Sequence, residues 1–291
     1  MSALRRYLDL PIGNKNDGTI KKFVESMFRL KDLNILLTTY LEGEDLLHLN
    51  QTNRYFYQLL DDKFYSKRHW EKYGGLSSLI RKNITRQQYY ETEKYLHHSD
   101  SHQSVYFAIS TDNVELLFLI YYFKTPVRLE NTYIKPGNRY PSELAIEKNS
   151  LECFKFLTKN KPIYINYMDI AISYDSEKIV EYLYSIGNGH PDARHICSCF
   201  LFKCCKYLEL CKLDDETVET VFDLLSYSPD GLETKMIENY NKPFSIFIRK
   251  LSTDQLGEIK NMALQRNRFQ IIKLITVYTS PFSGFSGNSI V

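Results

Sequence analysis

Several absences narrow the character of this chain before any motif is considered. No window approaches the run of about eighteen uninterrupted apolar residues that a membrane-spanning helix needs, so no membrane partner is expected. Charge of one sign is lacking as well. The 37 Lys and Arg against 35 Asp and Glu leave a formal net charge of +2, and no field of either sign points to nucleic acid. The basic steps Lys21-Lys22, Lys67-Arg68 and Arg81-Lys82 are short and scattered. Met1 to Asp17 carries Arg5 and Arg6 but no apolar stretch of signal-peptide length. With no secretion signal, the six cysteines are expected to be reduced thiols and the chain cytoplasmic.

The marks of catalysis are missing too. There is no Gly-rich phosphate loop of the Walker or dinucleotide type and no paired-His metalloprotease motif. His97, His98 and His102 follow Tyr95-Leu96 at an expected helix end, where a histidine suits the terminal carbonyls. No Cys or Ser nucleophile motif stands beside them. The cluster His190, His195, Cys197, Cys199, Cys204, Cys205 and Cys211 has neither paired Cys-x-x-Cys steps nor finger-like spacing for zinc. Cys197, Cys204 and Cys211 recur at sevens, which places them on one helical stripe beside Phe200 and Leu208, as buried core cysteines. No enzymatic activity, cofactor or metal site is expected.

What is present describes an ordered, helical chain. Hydrophobic residues make up 43% and aromatics 14%, far from the composition of disorder. The 23 Tyr and 17 Phe, against few Ala, look like a bias of the whole coding genome. Pro11, Gly13, Asn14, Asn16 and Gly18 punctuate the start. From Thr19 to Tyr40, Phe23, Met27, Leu30, Leu33 and Leu37 fall on helix-compatible spacings. Gly43 breaks that run. Asp45 opens a second through Leu46, Leu47 and Leu49 to Phe56, Leu59 and Leu60, and Asp62 to Tyr73 forms a third that stops at Gly74-Gly75. Three short helices with one apolar face describe a small bundle.

The segment Leu30-Lys-Asp-Leu33, Leu37-Thr-Thr-Tyr40-Leu41, Asp45-Leu46-Leu47-His48-Leu49, Asn53-Arg54, Leu59, Asp62, Phe64 and Trp70 resembles an F-box. That family opens on Leu-Pro, reaches a Tyr-Leu pair and Asp-Leu-Leu-x-Leu, and closes on an aromatic after an acidic turn. The opening proline is missing here, with Leu30 near its place.

Beyond Gly75 four segments align on an alanine: Ala108, Ala145, Ala171 and Ala263. An Asp or Asn stands four residues after each (Asp112, Asn149, Asp175, Asn267), and a branched aliphatic twelve after (Ile120, Leu157, Leu183, Ile275). The small alanine predicts close helix approach, the Asp or Asn a left-handed helix end, and the aliphatic a second helix facing the core. The unit resembles the ankyrin repeat. Leu151-Glu152 and Val114-Glu115 match its Leu-Glu step, and Pro141 and Leu144 stand where its Thr-Pro-Leu-His-x-Ala opening has Pro and Leu, with Tyr140 for Thr and Glu143 for His. Spacings of 37 and 26 residues depart from about 33, and the family's helix-ending glycine never occurs. Asp192 to Asp230 reads as a diverged unit without an aligned alanine.

The expected architecture is therefore all-α: an N-terminal three-helix F-box-like bundle followed by a degenerate ankyrin-type helical-repeat solenoid. Its domains are expected at 1–28 (extension with the start of the first helix), 29–75 (bundle), 76–280 (repeats) and 281–291 (tail). The resemblance implies a substrate-recruiting adaptor, cytoplasmic or in host cytoplasm if viral. Such a protein docks on the Skp-type adaptor of a cullin ubiquitin ligase through partner-binding leucines Leu33, Leu37, Leu41, Leu46, Leu47 and Leu49, divided between the docking face and the module's own core, and holds an unknown target protein on its repeats. Thr125 to Tyr140 and Lys161 to Asn166, with Tyr133, Tyr140, Tyr164 and Tyr167, are the expected target contacts. F-box joined to diverged ankyrin units, in a Lys/Asn/Ile/Tyr-rich chain, is similar to proteins of large DNA viruses of amoebae and poxvirus-like relatives. The alternative is a non-enzymatic scaffold or virion component whose bundle only caps the solenoid.

Overall fold

The computed structural model describes residues 38, 41, 43–52, 54–124, 133–134, 139–159, 162–164, 166–188, 192–227 and 242–279. The chain is all-helical. Among the described residues the β pairing is confined to one isolated antiparallel bridge, Ile134 with Arg139. Two compact units divide at Ser99/Asp100.

In the first unit the described helices are α1 (Gly43–Thr52), α2 (Arg54–Leu59), α3 (Asp62–Tyr73) and α4 (Arg86–Glu93), the last running into a π-helical turn, Lys94–His98. Local chemistry sets these ends. The Asp61 carboxylate accepts the Phe64 N–H at 3.0 Å and opens α3, and Thr85 and Gln88 form a reciprocal capping box on α4. Gly74 ends α3 in a right-handed conformation (φ −60°). Its lack of a side chain is needed because a Cβ there would overlap the Trp70 ring and carbonyl.

Leu46, Leu60, Tyr65, Ile84 and Tyr89 form the core of this unit. Tyr89 comes from α4, which packs on α1 and α3; the residues after Gly75 therefore fold with the bundle as far as Ser99 rather than opening the repeats. His97 and His98 close the π-helical turn, whereas His102 lies in the first turn of the next helix. The Glu93 carboxylate is buried and accepts from Lys72 Nζ at 2.9 and 3.0 Å and from the Tyr73 hydroxyl at 2.8 Å. Those partners supply the hydrogen bonds that water would otherwise give the charge.

The second unit contains α5 (Ser101–Ser110), α6 (Val114–Phe123), α7 (Pro141–Glu147), α8 (Leu151–Thr158), α9 (Asn166–Ser173), α10 (Glu177–Leu183), α11 (Ala193–Phe202), α12 (Lys206–Leu210), α13 (Asp215–Tyr227), α14 (Lys242–Lys250), α15 (Thr253–Gln265) and α16 (Phe269–Thr279). They pack in two rows. One row runs α5, α7, α9, α11, α13, α15, each helix against the next; the other runs α6, α8, α10, α12, α14, α16. Each unit thus buries its apolar faces against its neighbours in the stack.

The repeat pattern has a physical meaning at each position. Ala108, Ala145, Ala171 and Ala263 have no exposed surface, and the aliphatics twelve residues on are buried with them. Asp112, Asn149, Asp175 and Asn267 have φ of 49°, 52°, 52° and 55°, the left-handed conformation that a short polar side chain tolerates. Each ends its helix with two backbone bonds. At the first turn Asn113 N–H donates to the Ala108 carbonyl at 2.8 Å and Asp112 N–H to the Ile109 carbonyl at 3.0 Å. The same pair recurs from Ser150 and Asn149, from Ser176 and Asp175, and from Arg268 and Asn267. This is the Schellman arrangement, which satisfies carbonyls a helix end leaves open.

A fifth left-handed residue, Lys203 at φ 64°, marks the diverged unit. Counting back four residues gives Cys199, fully buried in the alanine's place, and counting twelve on from it gives Cys211, also buried. The helix α11 stops at Phe202, so Cys197, Cys204 and Cys211 do not share the single helical stripe that their spacing suggests. Lysine, unlike Asp and Asn, is not among the residue types that favour this conformation. Lys203→Asn is expected to raise the stability of the unit by about 1 kcal/mol, read as a higher urea midpoint at unchanged slope. A midpoint that stays put or falls would show that the lysine costs nothing there.

Candidate protein-interaction surfaces

The leucines expected to dock a partner separate into distinct environments. Leu33 and Leu37 lie outside the described residues, as does the side chain of Leu47. Leu41 is half-buried against the first unit's core, and its carbonyl accepts from the Arg68 guanidinium, which also donates to the Thr38 carbonyl at 2.9 Å. Leu49 is half-buried on α1, beside an exposed His48. Leu46 has no exposed surface and belongs to the core cluster. Its assignment as a partner contact is therefore corrected: a side chain already covered by Leu60, Tyr65, Ile84 and Tyr89 has no area left to offer a second protein.

An open cleft of about 760 Å³ also lies in this unit, lined among others by Gln51, Tyr57, Asp61, Asp62, Arg86 and Tyr90. Arg86 dominates it but is committed to the fold. Its guanidinium sits 4.0 Å over the Tyr57 ring, donates to the Tyr57 carbonyl at 2.7 Å and to the Leu60 carbonyl, and so closes the C-terminal end of α2. Its backbone N–H donates to Asp62 Oδ1 at 2.8 Å.

In the second unit the repeat-defining alanines are buried, and Asp112 and Asn149 staple successive units. The Asp112 carboxylate accepts from the Cys153 N–H at 3.0 Å, at the start of α8, and Asn149 Oδ1 accepts from the Lys178 N–H at 3.1 Å, at the start of α10. These two left-handed residues thereby cap the second helix of the following unit. The hydroxyls of Ser150 and Ser176, one residue on, donate to the carbonyls of Ile109 and Ile146 in the preceding units. These bonds hold successive units together, whereas Asp175 and Asn267 stand exposed.

The tyrosines expected to meet a target do come together at the surface. Tyr133 and Tyr140 stack at 4.5 Å with hydroxyls 3.1 Å apart, on either side of the Ile134–Arg139 bridge. Arg139 lies within 3.7 Å of Glu147 in α7 and reaches the next unit over the Tyr174 ring at 5.6 Å. Tyr164 packs edge-on against Tyr167 at 5.4 Å, and the Tyr167 hydroxyl donates to Ser142 Oγ at 3.1 Å. Tyr133, Tyr164 and Tyr174 remain exposed, whereas Tyr167 is largely buried and supports the others. The result is an aromatic ledge on the loop side of α7 and α9, with Tyr174 and Arg139 as members that sequence spacing did not single out. Residues 125–132, 135–138, 161 and 165, also expected among the target contacts, lie outside the described residues.

The cysteine and histidine cluster packs as core. Cys199, Cys204, Cys205 and Cys211 are buried and Cys197 is half-buried; His190 lies outside the described residues. His195 is buried, with Nε2 3.0 Å from Asp169 Oδ1 and Nδ1 3.5 Å from the Tyr207 hydroxyl, which ties α9, α11 and α12 together. Among the described residues no group of three or more His, Cys, Asp or Glu is placed to hold a metal ion. Burial pushes the Cys197 thiol up to about 12, and also raises Cys153, Cys199, Cys205 and Cys211. Cys204 moves the other way, lowered chiefly by a hydrogen bond from Cys199. Among the described residues no helix is long and apolar enough to cross a membrane. Compared with family models, curated proteins and solved structures, the chain matches none.

Proposed function

We propose that this chain is a non-enzymatic recruiting adaptor of the F-box and ankyrin-repeat kind, of the sort encoded by large DNA viruses, acting in the host cytoplasm. The first unit docks a Skp-type adaptor of a cullin ubiquitin ligase, and the second, a degenerate ankyrin-type solenoid, holds a target protein. The observation that carries the reading is the aromatic ledge of Tyr133, Tyr140 and Tyr164 with Arg139, raised beside a rigid two-row helical stack. Rigid aromatics and arginine supply interface energy at low entropic cost. The ubiquitin chemistry belongs to the partner complex, in accord with a chain that shows no catalytic motif.

On the docking side Leu49 and its neighbours on α1 carry the contact, since Leu46 is spent on the core. The test is capture of a purified Skp-type adaptor by the wild-type chain and by Leu49→Ala. Capture by the wild type, reduced about tenfold or more in a variant with unchanged helical content, is expected for an interface anchor. A folded wild-type chain that captures nothing, or a variant that captures as well as wild type, overturns the docking reading and leaves the scaffold alternative.

A further inference from the structure

The aromatic ledge is unevenly equipped for hydrogen bonding. The Tyr140 hydroxyl donates to that of Tyr133 at 3.1 Å, and the Arg139 guanidinium donates to the hydroxyl of Tyr174. Tyr133 and Tyr174 therefore accept within the ledge and keep their own protons to give. Among the described residues those two protons meet no acceptor, and the Tyr164 hydroxyl makes no bond. The three rings are exposed, Tyr133 at 50%, Tyr164 at 54% and Tyr174 at 38%. What the ledge offers a partner is ring surface tipped with O–H donors.

Its charges are already matched. Arg139 Nε lies 3.7 Å from the Glu147 carboxylate, and Lys148 Nζ lies 3.0 Å from the same group. A guanidinium held against a carboxylate has little left to draw an acidic segment, and that carboxylate has little left to draw a basic one. Spacing adds a further constraint. Tyr140 immediately precedes α7, Tyr164 lies two residues ahead of α9, and the Tyr167–Ser142 bond joins the first turns of these two packed helices. Packed helices lie about 8–10 Å apart, which sets the separation of the Tyr133–Tyr140 stack from Tyr164 along the row. One turn of a polyproline II helix rises about 9 Å.

We propose that the ledge docks a proline-rich segment of the target protein in the polyproline II conformation. The inference rests on the reading of the second unit as the part that holds a target. Proline has no N–H, so such a segment presents carbonyls and ring carbons with almost no donors, the complement of donor-tipped rings. The polyproline II helix exists before binding and leaves its carbonyls to solvent, so little ordering entropy is lost on docking. Successive turns of the segment lie on the Tyr133–Tyr140 stack and on Tyr164, and the Tyr133 and Tyr164 hydroxyls donate to its carbonyls. Tyr174, held by Arg139, supplies a third ring and donor.

The test is a fluorescence-anisotropy titration of labelled decaproline with the full chain, beside a Gly-Ser decapeptide and an Asp-Ser decapeptide. Decaproline is expected to bind saturably and at least about tenfold tighter than either comparison. Tyr133→Phe and Tyr164→Phe keep the rings and remove one donor each. Both should weaken decaproline about three- to tenfold, the weight of one hydrogen bond, with helical content unchanged. Decaproline that binds no better than the Gly-Ser peptide, or equally well to wild type and both variants, overturns the proposal, as does tighter binding of the Asp-Ser peptide. Selection of a random dodecapeptide phage library on the full chain, counter-selected on a Tyr133→Ala/Tyr164→Ala double variant, separates that failure from failure of the target-holding reading. Enrichment of proline-rich peptides supports the proposal. Proline-free peptides that need the ledge overturn it and leave a target-holding stack, whereas a library with no ledge-dependent peptide removes both.

Discussion

Leu46→Asp is expected to unfold the first unit, with a loss of at least about 4 kcal/mol. The wild-type side chain has no exposed surface and meets Leu60, Tyr65, Ile84 and Tyr89. Removing it forfeits about 2 kcal/mol of apolar burial. Placing a carboxylate there adds the larger cost, because no cation is among the residues of that cluster, and the acid must either unfold the unit or enter it protonated. Loss of the near-ultraviolet tyrosine signal and of amide protection over α3 and α4 would register the change. A Leu46→Asp chain that melts like wild type would refute the placement of Leu46 in the core. This bears directly on docking. Failure of that variant to capture a partner reports unfolding, and Leu49 is the residue through which docking should be probed.

The second large effect is expected at Phe154→Ala, which should cost about 4 kcal/mol, within the usual 3–5 for an aromatic truncated in a core. Phe154 is fully buried on α8 and meets the rings of Tyr167 and Tyr182 edge-on, at 5.5 and 6.2 Å. Those two tyrosines belong to α9 and α10, the following unit. The truncation therefore removes contact within a unit and across its interface, and in a stack of nearest-neighbour units both terms count. Urea unfolding should show a lower midpoint. Hydrogen exchange should accelerate first in α7 to α10, while α15 and α16, several units away, stay protected. A loss below about 1 kcal/mol, or uniform acceleration across the stack, would contradict this account.

Several elements could be read from the chain directly. The end of α3 at Gly74 and the left-handed Asp112, Asn149, Asp175 and Asn267 all follow from interactions within about six residues. The diverged unit is hidden in the sequence because Cys199 stands where the other units have alanine, and the close helix approach asks only for a small apolar side chain. The sevens in Cys197, Cys204 and Cys211 misled for a related reason: periodicity assumes an unbroken helix, and Lys203 breaks it.

The docking leucines show a different limit. Spacing on α1 marks an apolar face but does not say whether the chain itself or another protein covers it. Only the packing of α3 and α4 against α1 assigned Leu46 to the core. The same packing moved the boundary between units from Gly75 to Ser99.

By itself, the sequence determined the helical class and the helix-ending turns at Asp112, Asn149, Asp175 and Asn267, because helix caps and Schellman bonds close over a few residues and depend on local residue types. Tertiary structure alone decided that the Asp112 carboxylate caps a helix beginning about 40 residues later, and that Tyr133 stacks on Tyr140 while Arg139 crosses to Tyr174. Those contacts join groups whose separation along the chain carries no information about their distance in space, and burial, which sets their strength, exists only once the units have stacked.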